Sequence, residues 1–194
     1  PDVSELANTL PNPPTANDLV VIITDSNQGE IDDKTYLETN AFQNSILRLY
    51  GPQAGQQIFA GNFISHTYED IIQLLDFPST AENIENNLAL ADWILVAALN
   101  ASSDRPSSLA LQRLLSERQD LVRDKNVVVF SFGAPYHLDA TNISKIDAYY
   151  GLYSKLPSFI DVATRILFKE ITNPPGDLPE IGRASCRERV CVGV

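Results

Sequence analysis

His137 and Asp139 stand two residues apart at the end of VVVFSFGAPYHLD, residues 127–139. An imidazole titrating near neutrality, with a carboxylate to orient one ring nitrogen, is half of a general-base pair. The nucleophile that would complete it has no signature here. There is no G-x-S-x-G, and both cysteines, Cys186 and Cys191, fall in the last fourteen residues. The tip therefore reads as a loop closing a buried strand. Tyr136 and His137 are its candidates for facing a ligand or a partner surface.

A second concentration of oxygen ligands is TDSNQGEIDD, residues 24–33. Asp25, Asn27 and Gly29 fall on the first ligand positions of a calcium loop. Glu30 then occupies the place of the turn glycine, and Tyr36 that of the bidentate glutamate. The pattern fails at both discriminating positions, so no metal site is expected. Asp25 directly follows an apolar run, and a carboxylate there can meet a ligand at the carboxyl edge of a parallel sheet. Asp25 and Asn27 are accordingly site candidates. His66 precedes a helix start at Thr67 and reads as a surface residue.

Glycine-rich phosphate loops are missing: the segment after the first strand holds a single Gly, and no Walker A sequence occurs. The terminal run IGRASCRERVCVGV, residues 181–194, differs from everything before it and resembles a translated sequencing adapter. It is treated as a non-native tail. The preceding 180 residues hold no cysteine, with 11 basic against 24 acidic residues, a net charge of −13. That charge repels phosphate backbones and argues against nucleic acid as a partner. No run approaches eighteen consecutive apolar residues, so no membrane span is expected.

The elements that must position these residues alternate regularly. Residues 1–18, with Pro1, Pro11, Pro13 and Pro14, read as an interdomain linker, which makes the chain a fragment of something longer. LVVIIT (19–24), QQIFAGN (56–62), WILVAAL (93–99), VVVFSF (127–132) and AYYGLYS (148–154) are the expected strands. Helical spacing appears at Leu37, Ala41, Phe42, Ile46 and Leu49, stopped by Gly51-Pro52. Thr67 and Asp70 form a capping box for a helix through Leu75, and another helix starts near Thr80. A long helix follows Pro106, and a last amphipathic one covers 157–170. Strands alternating with helices predict a three-layer α/β/α sandwich around a mainly parallel sheet of about five strands, over residues 19–180.

Four stretches, read together, resemble the C-terminal α/β sandwich domain of glycoside hydrolase family 3. They are the proline-rich linker running into DLVVIITD, VVVFSFGAPYHL, AYYGLYSKLPSFIDVATRILF and the closing PPGDLP. FQNSILRLYGPQ is similar to the bacterial β-N-acetylglucosaminidase branch. The resemblance spans most of residues 10–179 and is strongest from 127 onward. It implies an accessory domain packed on a preceding (β/α)8 barrel that carries the catalytic residues. No catalytic residue of the family then falls on this chain, and no cofactor is expected. The same resemblance implies an amino-sugar glycan substrate and an extracytoplasmic or cell-envelope setting. After Pro179 the family's terminal strand is replaced by the adapter-like tail.

Two other classes fit the residues. One is a stand-alone small-ligand module of flavodoxin-like build, for which DSNQGEIDD is a poor phosphate loop. The other is a carbohydrate-binding module using Trp93 with Tyr149, Tyr150 and Tyr153. Trp93 opens an apolar strand, and a core position is expected for it.

Overall fold

The computed structural model describes residues 10–26, 37–101, 105–134, 138–172 and 174. Asn27, Tyr136, His137, the PPGDLP turn beyond Pro174 and the 181–194 tail lie outside the described residues. Five strands, β1 (Val20–Thr24), β2 (Phe63–Thr67), β3 (Trp93–Ala98), β4 (Asn126–Ser131) and β5 (Ala148–Gly151), form one sheet. Its order is β2-β1-β3-β4-β5, and every pair is parallel. Among the described residues the helices are α1 (Ala41–Tyr50), α2 (Tyr68–Asp76), α3 (Glu82–Leu90), α4 (Ala110–Glu117), α5 (Gln119–Val122), α6 (Ala140–Ile143) and α7 (Pro157–Leu167). The result is the expected three-layer α/β/α sandwich.

Alternate side chains along each strand enter two separate cores. Val20, Ile22, Leu95 and Phe130 meet Phe42 and Ile46 of α1 and Ile160, Ala163 and Ile166 of α7. Val21, Ile23, Val96 and Val129 meet Tyr68, Ile71 and Leu74 of α2, Leu88 of α3, and Leu111 and Leu114 of α4. The central strands therefore need apolar residues at every position, which is why they read as continuous runs rather than alternations. Burying each Leu, Ile or Phe contributes on the order of 1.5–3 kcal/mol. Trp93 is fully packed in the first core, as expected for a strand-opening Trp, and Tyr150 stacks on Phe130 there at 5.5 Å.

Three expectations shift. The second strand is FISHT rather than QQIFAGN: Ile58 is buried, but residues 60–62 make a 3-10 turn instead of pairing. Asn62 holds that turn by donating from Nδ2 to the carbonyls of Ala16 and Asp18, at 2.9 and 3.0 Å. The long helix after Pro106 is a 3-10 turn followed by α4, then a break at Arg118 before α5. Arg118 leaves helical geometry there while its guanidinium holds Glu85 and Asp120, at 2.6 and 2.7 Å. The last strand stops at Gly151, two residues before Tyr153 with its left-handed φ of 56°, and Lys169 at φ 58° follows the end of α7.

Helices α1 and α7 are joined across the first core by polar groups. Ser45 Oγ donates to Asp161 Oδ1 at 2.6 Å, and Thr164 Oγ1 donates to Ser45 Oγ at 3.0 Å. Arg48 pairs with the same Asp161 oxygen. Burial would raise the Asp161 carboxyl, but the Ser45 and Arg48 bonds outweigh it and hold it below its ordinary range.

Candidate functional site

All five strands point their carboxyl ends the same way, so the residues just after β1, β3 and β4 share one edge. The order of the strands reverses between β1 and β3. A crevice at such a reversal is the usual ligand site of an open parallel sheet. Asp25 occupies that point and is 1% exposed. Its own amide continues the β1–β3 ladder, donating to Ala97 O at 2.9 Å.

The Asp25 carboxylate is already engaged. Arg105 donates to it from both terminal nitrogens, Nη1 to Oδ1 and Nη2 to Oδ2, the latter at 2.8 Å. The Leu99 amide adds a weaker contact to Oδ2 at 3.3 Å. A planar guanidinium meeting a carboxylate as a two-toothed fork is the strongest form of this pairing. The bond to Asp25 raises the Arg105 pKa, burial opposes it, and the exposed Glu69 adds to the rise.

Arg105 Nη2 also donates to the Asn100 carbonyl at 2.8 Å. The Asn100 side chain carries the connection on to β4: its Oδ1 accepts from Ala134 N at 2.6 Å. A Cβ on Gly133 would lie 2.0 Å from that same Oδ1. A side chain at Gly133 would therefore force the Asn100 amide to move. Ser131, fully buried at the end of β4, donates from Oγ to Gly133 O at 3.2 Å. One chain of contacts, Asp25 to Arg105 to Asn100 to the 133–134 turn, stitches the carboxyl ends of β1, β3 and β4.

Below this seam lies Tyr68, the first residue of α2. Thr24 pairs with Thr67 in the sheet, so Asp25 and Tyr68 are the next residues along the two strands. Tyr68 is 1% exposed, and its hydroxyl is buried without a hydrogen-bond partner among the described residues. Burial drives the phenol well above its ordinary pKa, and the nearby Asp25 charge pushes it further, with Arg105 opposing.

The other candidates are placed as follows. Asp139 caps α6, its Oδ1 accepting from Asn142 N at 2.7 Å. His66 is buried, not on the surface. Its Nε2 lies 3.2 Å from Asn87 Nδ2, and its Nδ1 lies 3.7 Å from Asp70. Burial lowers its pKa, and Asp70 only partly offsets that. Among the described residues, no group of three or more His, Cys, Asp or Glu is placed to hold a metal ion. No helix among them is long and apolar enough to cross a membrane.

A cleft of about 510 Å³ opens between α1 and α7, lined by Leu37, Ala41, Arg48, Leu156 and Asp161 among others. Its Arg48 and Asp161 are paired with each other, and the groove sits on one helical layer rather than at the strand ends. The switch-point edge is the better candidate, because buried, oppositely charged groups converge there.

Sequence reasoning found Asp25 and missed Arg105, Asn100 and Tyr68. Arg105 carries a faint signal, lying shortly after a buried strand and just before Pro106.

No protein-family model matches the chain, and no curated protein matches it. Among solved structures, it is similar to an FMN-dependent NADH-azoreductase from Bacillus anthracis, solved in complex with FMN. The identity is 11%, the match covers 80% of this chain and 96% of that one, and the TM-score is 0.31.

Proposed function

We propose that this chain is an accessory α/β sandwich domain of a glycosidase acting on β-linked N-acetylhexosaminides. Its carboxyl edge packs on a preceding (β/α)8 barrel and borders the glycan. The observation that carries this reading is the state of Asp25. The acid at the switch point is buried and clamped by Arg105, so it is not presented to a substrate as a nucleophile. A stitched, charge-paired edge suits a docking or positioning role. The resemblance of residues 127–179 to the family 3 sandwich supplies the enzyme class. The bordering role of Tyr136 and His137 belongs to the same proposal.

Two measurements test it. The gene upstream of Pro1 is expected to encode the barrel, and this chain alone is expected to leave N-acetylglucosaminide substrates intact while the full-length protein hydrolyses them. Turnover by the chain alone, or an upstream sequence encoding no barrel, overturns the proposal.

The strand order β2-β1-β3-β4-β5 favours a second reading, a stand-alone small-ligand module with its ligand at the β1/β3 reversal. Titration with FMN separates the two. Saturable binding supports the module; no binding removes it.

A further inference from the structure

We propose that the Asp25–Arg105 pair is an exchangeable latch, for which the first two residues of α2 hold the alternative partners. In the latched state described above, Arg105 grips Asp25 and Tyr68 goes without. In the released state the Tyr68 hydroxyl donates to Asp25, and the Arg105 guanidinium turns outward to Glu69.

The geometry carries this in three parts. Among the described residues the Tyr68 hydroxyl is a buried donor without a partner, a condition that is rare in folded proteins and calls for an explanation. Asp25, an acceptor, and Tyr68 each follow the last paired residues of β1 and β2, Thr24 and Thr67, and the hydroxyl lies within the field of both Asp25 and Arg105. Glu69, the next residue, is exposed and close enough to act on the Arg105 charge.

Neither charge is stranded by the exchange. Releasing Arg105 alone would leave a buried carboxylate with, among the described residues, the long Leu99 contact, which is unfavourable. The Tyr68 hydroxyl removes most of that penalty, since hydrogen bonds to a charged acceptor are among the stronger ones. The Arg105 side chain, 22% exposed against 1% for Asp25, is the half of the pair able to leave. Its release turns a fixed structural cation into a movable donor at the crevice where parallel sheets bind ligands. This inference stands apart from the glycosidase reading and does not depend on it.

The test is native-state amide exchange on the whole chain and on Y68F, a variant that removes only an unpartnered hydroxyl. Leu99 N–H donates to Asp25 and should be freed when the carboxylate turns away, so its protection reports the latch. Protection of Leu99 is expected to rise roughly tenfold in Y68F, because the released state loses its bond. Leu95, in the middle of β3, is expected to follow only global stability. E69Q is expected to move Leu99 in the same direction by a smaller factor. Equal changes at Leu99 and Leu95, or no change at either, overturn the latch and leave the Tyr68 hydroxyl a static defect. The cycle of R105Q and Y68F adds a second readout. Y68F is expected to lower the urea midpoint in the R105Q background but not in the wild type, and additivity overturns the exchange.

Discussion

Arg105 holds Asp25 through two nitrogens although eighty residues separate them in sequence. The guanidinium arrives from beyond β3, just before the 3-10 turn that leads into α4, whereas the carboxylate belongs to the end of β1. A single side chain thus fixes how the β3 connection leaves the sheet.

Breaking that pair from one side should be costly. R105Q and D25A are each expected to lower stability by about 1–3 kcal/mol, short of the roughly 3–5 kcal/mol of a fully stranded partner, because Tyr68 takes up Asp25 and Glu69 takes up Arg105. The double variant is expected to lose less than the sum. Urea unfolding of the three proteins checks this, and strict additivity would show that the two residues act independently.

Gly133 gives a second prediction. G133A is expected to cost about 1–3 kcal/mol, the usual range for forcing extra volume into a packed site. A Cβ would displace the Asn100 amide and break its bond from Ala134. N100A/G133A should recover part of the loss by removing the obstruction. Thermal melts of the single and double variants decide it.

The pH dependence follows from His66. Its pKa is lowered in the folded protein, mainly by burial, from the ordinary 6.5. Below 6.5 the unfolded chain takes up a proton that the folded chain resists, so stability is full above 6.5 and declines as pH falls toward the folded value. Urea midpoints measured from pH 7.5 down to pH 5 (roughly the range over which histidine titrates) should drop more steeply for the wild type than for H66N. Parallel curves would falsify the assignment.

The start of α2 supplies the fourth. Thr67 Oγ1 accepts from Asp70 N at 3.2 Å, and Thr67 N donates back to Asp70 Oδ2 at 2.7 Å. T67A is expected to cost about 1 kcal/mol and T67S far less, read from denaturation midpoints. Because α2 begins with Tyr68 and Glu69, a frayed start should also raise amide exchange around Asp70.

That capping box was readable in the sequence because both partners lie within one helical turn. The strands flanked by helices on both faces were equally readable, since a residue buried on either side of a sheet must be apolar. Strand β2 was not: it lies at the sheet's edge, and Ser65 and His66 dilute its pattern, while Ile58 and Phe59 make the preceding turn look more like a strand. Asp25 could be singled out by its place after LVVIIT. Its partner could not, because nothing periodic links position 25 to position 105. Gly133 was legible as a turn residue, yet the reason for it, the Asn100 side chain, comes from the loop after β3.

The Ser45–Thr164 contact links residues 119 positions apart, and α7 supplies much of the first core. A ribosome making this chain releases α1 long before α7 exists. Until Ile160, Ala163 and Ile166 emerge, Phe42 and Ile46 lack much of their cover, and only the second core can be finished. The two faces of the sheet thus mature at different times during synthesis. A truncation upstream of residue 157 should leave an aggregation-prone intermediate with one helical layer in place.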